Sequence, residues 1–250
     1  MRVLRRLLFS IVLLLLFLIS GPTWMIATGQ AALEADHRTA SWDRSNLAPP
    51  PEETPEAVVQ VYAARAFEWR GAFSVHSWIA AKPKGAHSYT RYEVIGFRLW
   101  STGSAVAVGN SRPPDAQWFG ADPELIFEAR GERAQQIIDQ LDPAVARYPY
   151  PDRYEAWPGP NSNTFIAWMM AEVEGLDAVL PSNAVGKGWH DGWWRSEKVR
   201  TATGDGWIAS GPFGLVGLTT LPGRFEVSIL GMSFGYSAGG IILPGIGVLR

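Results

Sequence analysis

An apolar run over positions 7–19, set behind Arg2, Arg5 and Arg6, constrains this chain more than any other feature. Such a stretch has to leave water, either by packing into a core or by entering a membrane. Gly21-Pro22-Thr23 interrupts it and Trp24-Met25-Ile26-Ala27 resumes it, so the segment covers about 20 residues, the length of one membrane span. A basic start, an apolar stretch and the small residues Ala27, Gly29 and Ala31 also describe a secretory signal. Positions 1–31 are therefore read as a signal anchor or a signal peptide. In both cases the positive-inside rule leaves the arginines in the cytoplasm and sends the rest across. A buried soluble helix accounts poorly for arginines at one end only.

Positions 32–56 are polar and carry Pro49-Pro50-Pro51 and Pro55, the composition of an extended linker. Positions 57–250 then read as a single α+β domain. A net charge of −2 and the absence of a Lys/Arg cluster argue against a nucleic-acid partner. There are no cysteines, which excludes disulfides, thiolate metal sites and a cysteine nucleophile. No spacing suits a metal site, and no cofactor motif is present. Twelve tryptophans are many for this length and suit packing or stacking against a ligand.

Within the domain, positions 57–66 fit a strand or a helix equally. Positions 73–81 and 88–100 read as two strands of an antiparallel hairpin around the turn Lys82-Pro83-Lys84-Gly85, and 104–108 as a third strand. Positions 110–122, with Trp118-Phe119, form a long loop, and 123–129 are ambiguous. Ala134, Ile137, Ile138 and Leu141 recur at helical spacing, with Asp142-Pro143 placed to end or kink that helix. Positions 187–194, with Trp189 and Trp193, read as a loop. Past Gly206 glycine and branched apolar residues dominate; one strand is expected over 225–232, with short extended pieces around it.

The chemistry centres on 158–170. A Pro/Gly-rich turn leads through Asn161-Ser162-Asn163 into an apolar run, the pattern of a capped helix start. A helix N-terminus also favours a developing anion, so Ser162 is a candidate nucleophile there. His76, on an expected strand, is the candidate base. Glu93 lies near it across the hairpin and is the candidate orienting group, with His87 at the turn as the alternative. Asn161, Asn163, Trp118, Trp189 and Trp193 are candidate substrate contacts. The plain alternative is that Asn161 and Ser162 only cap a helix and that His76 is a hydrogen-bonded core residue. Neither Gly-X-Ser-X-Gly nor Ser-X-X-Lys surrounds Ser162.

Val75-His76-Ser77-Trp78-Ile79-Ala80, Ser88-Tyr89-Thr90-Arg91-Tyr92-Glu93-Val94 and Gly159-Pro160-Asn161-Ser162-Asn163-Thr164-Phe165 resemble an uncharacterised bacterial family, domain of unknown function 3750. Leu243-Pro244-Gly245-Ile246-Gly247 fits it as well. More distantly, the order of His strand, further strands and Asn-nucleophile helix is similar to circularly permuted papain-like domains, the NlpC/P60 peptidases and lecithin:retinol acyltransferase. These carry Asn-Cys-X-X-Phe where this chain has Asn161-Ser162-Asn163-Thr164-Phe165. The resemblance implies a permuted papain-like α+β fold, an antiparallel sheet packed on helices, with Ser162 in the cysteine's place and His76 as base. It implies a hydrolase or acyltransferase acting on an amide or ester of a cell-wall peptide or lipid. Serine lacks the easily formed thiolate of those enzymes, so the alternative is a catalytically silent envelope module binding peptide, glycan or lipid. The expected location is a bacterial inner membrane with the domain on the periplasmic side, or secretion to the periplasm.

Overall fold

The structure is a computed structural model and describes residues 1–31, 33 and 40–249. Most of the first half of the expected linker therefore lies outside the described residues. The 26-residue helix α1, Arg2–Ala27, is apolar and long enough to cross a membrane, and it contains Pro22. At about 1.5 Å per residue it measures about 39 Å, more than the roughly 30 Å of bilayer hydrocarbon.

An α+β unit follows. Its antiparallel sheet has the order β4-β3-β2-β1-β5, with β1 Val58–Arg65, β2 Val75–Lys82, β3 Thr90–Val94, β4 Val106–Gly109 and β5 Glu124–Arg130. Between β3 and β4 the chain forms a short helix, α2, Leu99–Thr102, so the second expected strand is shorter than its aromatic run implied. The central strands β1 and β2 are buried on both faces. That explains why 57–66 carries no decisive period: when both faces are covered, alternation disappears from the sequence. Two helices, α3 Gly131–Ala146 and α4 Ser162–Glu172, cover one face. There Ala134, Ile137 and Leu141 of α3 and Phe165, Ile166 and Met169 of α4 meet Val61, Ile79 and Val94. Pro143 sits inside α3 and does not end it.

The opposite face is covered by loops. Trp42 and Ala48 pack there with Tyr62, Trp78, Tyr89 and Trp118. Asp115 Oδ2 accepts hydrogen bonds from the amides of Leu47 (2.7 Å) and Ala48 (3.0 Å). The later part of the stretch expected to run free is thus laid across the sheet, held by one buried carboxylate and an aromatic side chain.

The C-terminal part is a second antiparallel sheet, a meander of seven strands in sequence order. These are β6 Arg195–Thr201, β7 Gly204–Ser210, β8 Val216–Leu221, β9 Arg224–Ile229, β10 Met232–Ser237, β11 Gly240–Leu243 and β12 Gly247–Leu249. The expected strand over 225–232 is split by a turn at Leu230-Gly231, both at positive φ. The second half of α1 rests on this part of the molecule. Phe17 meets Phe234 edge-on at 5.4 Å, and Leu14 and Leu18 join Ile229 and Met232. A Cβ at Gly21 would collide with the Pro244 carbonyl oxygen, so the close approach requires glycine.

Candidate functional site

The start of α4 is a capping box. Asn161 Oδ1 accepts from the amides of Asn163 (3.0 Å) and Thr164 (3.2 Å), while Thr164 Oγ1 accepts from the Asn161 amide at 3.1 Å. This satisfies backbone donors that a helix start leaves unpaired. The Asn161 amide group also donates to the carbonyls of Ala156 (3.2 Å) and Val185 (3.1 Å). Asn163 Nδ2 donates to Val75 O (2.9 Å) and Val185 O (2.8 Å), and its Oδ1 accepts from Ser77 Oγ at 2.8 Å. These two asparagines join α4, β2 and the 181–188 segment, and their polar atoms are taken up by the protein itself. Gly186, at φ +93°, lies so close that a Cβ there would strike the Asn161 side chain.

The same contacts separate Ser162 from His76. Successive side chains on a strand point to opposite faces. Val75, Ser77 and Ile79 of β2 face α4, and Ser77 touches the start of that helix. His76 and Trp78 therefore point to the other face, where His76 stacks on Trp118 at 3.5 Å between ring centroids and 11° between planes. The expected pairing of nucleophile and base fails by one residue in strand parity.

His76 and Glu93 do come together, with Nε2 and Oε2 at 3.0 Å. Extrapolated beyond its last pair, Ile79↔Tyr92, the β2–β3 register would put Ile95 opposite His76, so Glu93 is diagonal to His76 on the same face. Glu93 also accepts from Arg91 Nη2 at 3.1 Å and lies 4.0 Å from Arg112. Burial alone would raise the Glu93 pKa. The His76 hydrogen bond and the charges of Arg91 and Arg112 outweigh it and hold the carboxyl at about 2. Burial pushes the His76 pKa down, against the pull of Glu93. The guanidinium of Arg91 lies over Trp78 and that of Arg112 over Trp42, at 4.4 and 3.8 Å. This is a buried ionic and aromatic cluster under the 41–48 and 110–121 loops. His87 has no place in it among the described contacts. Trp118 is committed to it, and Trp189 is buried against Tyr150 at 4.8 Å. Of the expected aromatic contacts only Trp193 is free in solvent, at 83% exposure.

The site that sequence reading missed is a cavity of about 770 Å³ between the end of α4, the 176–188 segment and the meander. Its apolar wall includes Met170, Val173, Leu176 and Leu180, and its polar wall includes Thr219, Arg224, Glu226, Ser228 and Ser233. Lys187 Nζ donates to Glu226 Oε1 at 2.6 Å and to Pro181 O at 3.1 Å, and Arg224 forms an ion pair with the same carboxylate. Burial, helped by Arg224, pushes the Lys187 pKa down to about 8 despite Glu226. These acceptors fix the direction of the Lys187 ammonium as a donor. One signal was present in the sequence: Arg224, Glu226 and Ser228 alternate with Phe225, Val227 and Ile229. Among the described residues no group of three or more His, Cys, Asp or Glu side chains is placed to hold a metal ion.

Residues 56–189 match the model of a family described as Protein of unknown function (DUF3750). The chain belongs to this family. The DUF3750 match runs from the start of β1 to Trp189 and includes His76, Glu93 and the capping box. It stops before the meander, so the C-terminal 243–247 segment, which the resemblance included, lies outside it. No curated protein and no solved structure matches the chain. Nothing therefore ties this DUF3750 protein to NlpC/P60 peptidases or lecithin:retinol acyltransferase, and the permuted papain-like topology is left without support.

Proposed function

We propose that this membrane-associated DUF3750 protein is an envelope binding module whose ligand is an amphipathic lipid or peptide, held in the cavity beneath the meander. The cavity carries the reading. Its volume of about 770 Å³ lies in the range of small-molecule sites. One wall is apolar, and the other presents a fixed cation, a guanidinium and hydroxyls. Ser228 and Ser233, directly paired on β9 and β10, project from the polar wall. The rival reading, a hydrolase or acyltransferase with Ser162 as nucleophile, His76 as base and Glu93 as orienting group, requires a rearrangement across the sheet.

The test is native mass spectrometry of the full chain purified in mild detergent, beside Thr219→Trp, which fills the cavity from β8, and Ser162→Ala. A co-purifying adduct on wild type and Ser162→Ala, lost in Thr219→Trp, is the expected result. A fluorophosphonate probe that labels wild type but neither Ser162→Ala nor His76→Ala would overturn the binding reading in favour of the enzyme.

A further inference from the structure

The meander is inside out. In a sheet with one face on a core, apolar side chains point inward and polar ones to water. The register here assigns each residue to a face, because directly opposed residues share one. Trp207↔Thr220, Thr220↔Phe225, Phe225↔Tyr236, Tyr236↔Ile241 and Ile241↔Leu249 run across one face. Leu218↔Val227 and Val227↔Phe234 lie on that face one step along. It is the outer face: Tyr236 and Ile241 are each 59% exposed and Leu218 is 41% exposed. The inner face carries Thr219, Arg224, Glu226, Ser228 and Ser233, with Glu226 and Ser233 fully buried.

The apolar outer face is continuous with the membrane helix. Phe17, Leu14 and Leu18 of α1 touch Phe234, Ile229 and Met232, which belong to that face. If Arg6 marks one headgroup layer, Leu14 lies about 12 Å and Met25 about 28 Å beyond it along the axis. The contact with the sheet, made by Leu14, Phe17 and Leu18, thus begins just short of the middle of a hydrocarbon layer about 30 Å thick and runs into its far half. The polar end of the same face is at β6, with Lys198 and Arg200, and Trp207 stands between them and the apolar strands. Aromatic residues between charged and apolar zones are the usual boundary of a membrane interface.

We infer that the outer face of the meander is seated in the lipid bilayer, in the leaflet far from the basic N-terminus, and not in water. Open sheet edges cannot be immersed, because their N–H and C=O groups need partners. The sheet therefore meets lipid through the side chains of its outer face, beside α1, and not through its strand edges. Bilayer lipid completes the burial that the fold leaves undone, and the polar inner wall of the cavity follows from the same inversion.

The chain has no cysteine, so single-cysteine variants carry one probe each. Leu218→Cys and Ile241→Cys on the outer face and Gln136→Cys on exposed α3 are labelled with a nitrobenzoxadiazole dye. The full chain is reconstituted in phosphatidylethanolamine/phosphatidylglycerol vesicles. Doxyl groups on lipid acyl chains should quench positions 218 and 241 several-fold more than 136, and aqueous iodide should do the reverse. Iodide quenching at 218 and 241 equal to that at 136 overturns the inference. Shielding from both quenchers also overturns it, because a second copy or another protein would then cover the face. Two independent outer positions keep the test valid if one variant folds poorly.

Discussion

Replacing Glu93 by Gln removes one charge and almost no volume from the cluster on the loop-covered face of the first sheet. Arg91, 3% exposed, then loses the carboxylate 3.1 Å away, and His76 and Arg91 are left to share one neutral amide oxygen as acceptor. A carboxyl held at about 2 instead of 4.5 gains, at about 1.4 kcal/mol per pH unit, about 3 kcal/mol from folding at neutral pH. Breaking a buried ion pair by removing one partner costs about 3–5 kcal/mol, in the same range. The sign follows from the direction of the shift. A depressed folded pKa contributes stability that is complete above 4.5 and is lost as pH falls toward about 2. Urea unfolding of the full chain in detergent micelles, followed by near-UV circular dichroism, should show Glu93→Gln less stable by about 3 kcal/mol at neutral pH. The gap to wild type should narrow steadily in acid below 4.5. A variant within about 0.5 kcal/mol of wild type at neutral pH, or a gap independent of pH, refutes the argument.

Asn163→Ala deletes the bridge between Ser77, Val75 and Val185 and leaves buried partners unpaired, so a loss of about 2–3 kcal/mol is expected in the same denaturation assay. Gly186→Ala strains a backbone at φ +93° and drives a methyl into Asn161; it should lower the thermal midpoint, whereas Gly85→Ala, also at positive φ but with open space around it, should lower it less. Gly21→Leu should lift α1 from Pro244. The readout is cross-linking by a short bifunctional maleimide of cysteines placed at Phe17 and Phe234, whose rings meet at 5.4 Å; it should be efficient in the otherwise unaltered chain and poor with Gly21→Leu.

The sequence determined the local features. Arginines before an apolar run specify a membrane-compatible helix whatever follows, because that segment satisfies its own backbone. Asn161 before a buried apolar run specifies a capped helix start, and the cap is there. Alternation along 224–229 specifies a strand with one polar and one apolar side. Only the tertiary structure decided which side of each strand meets what. Whether His76 or Ser77 faced α4 depended on a parity that no residue type encodes; in the assembled sheet Ser77 bonds Asn163 at the helix start and His76 bonds Glu93 on the other face. Burial of β1 and β2 on both faces erased the periodicity that would have identified them. The usual expectation of apolar residues inside would have turned the meander the other way. The helix packed on it, and the buried Glu226 held by Lys187 and Arg224, put the polar side inward. A sequence lists the side chains along a strand, but the solvent on each face is a property of the assembled molecule and its membrane.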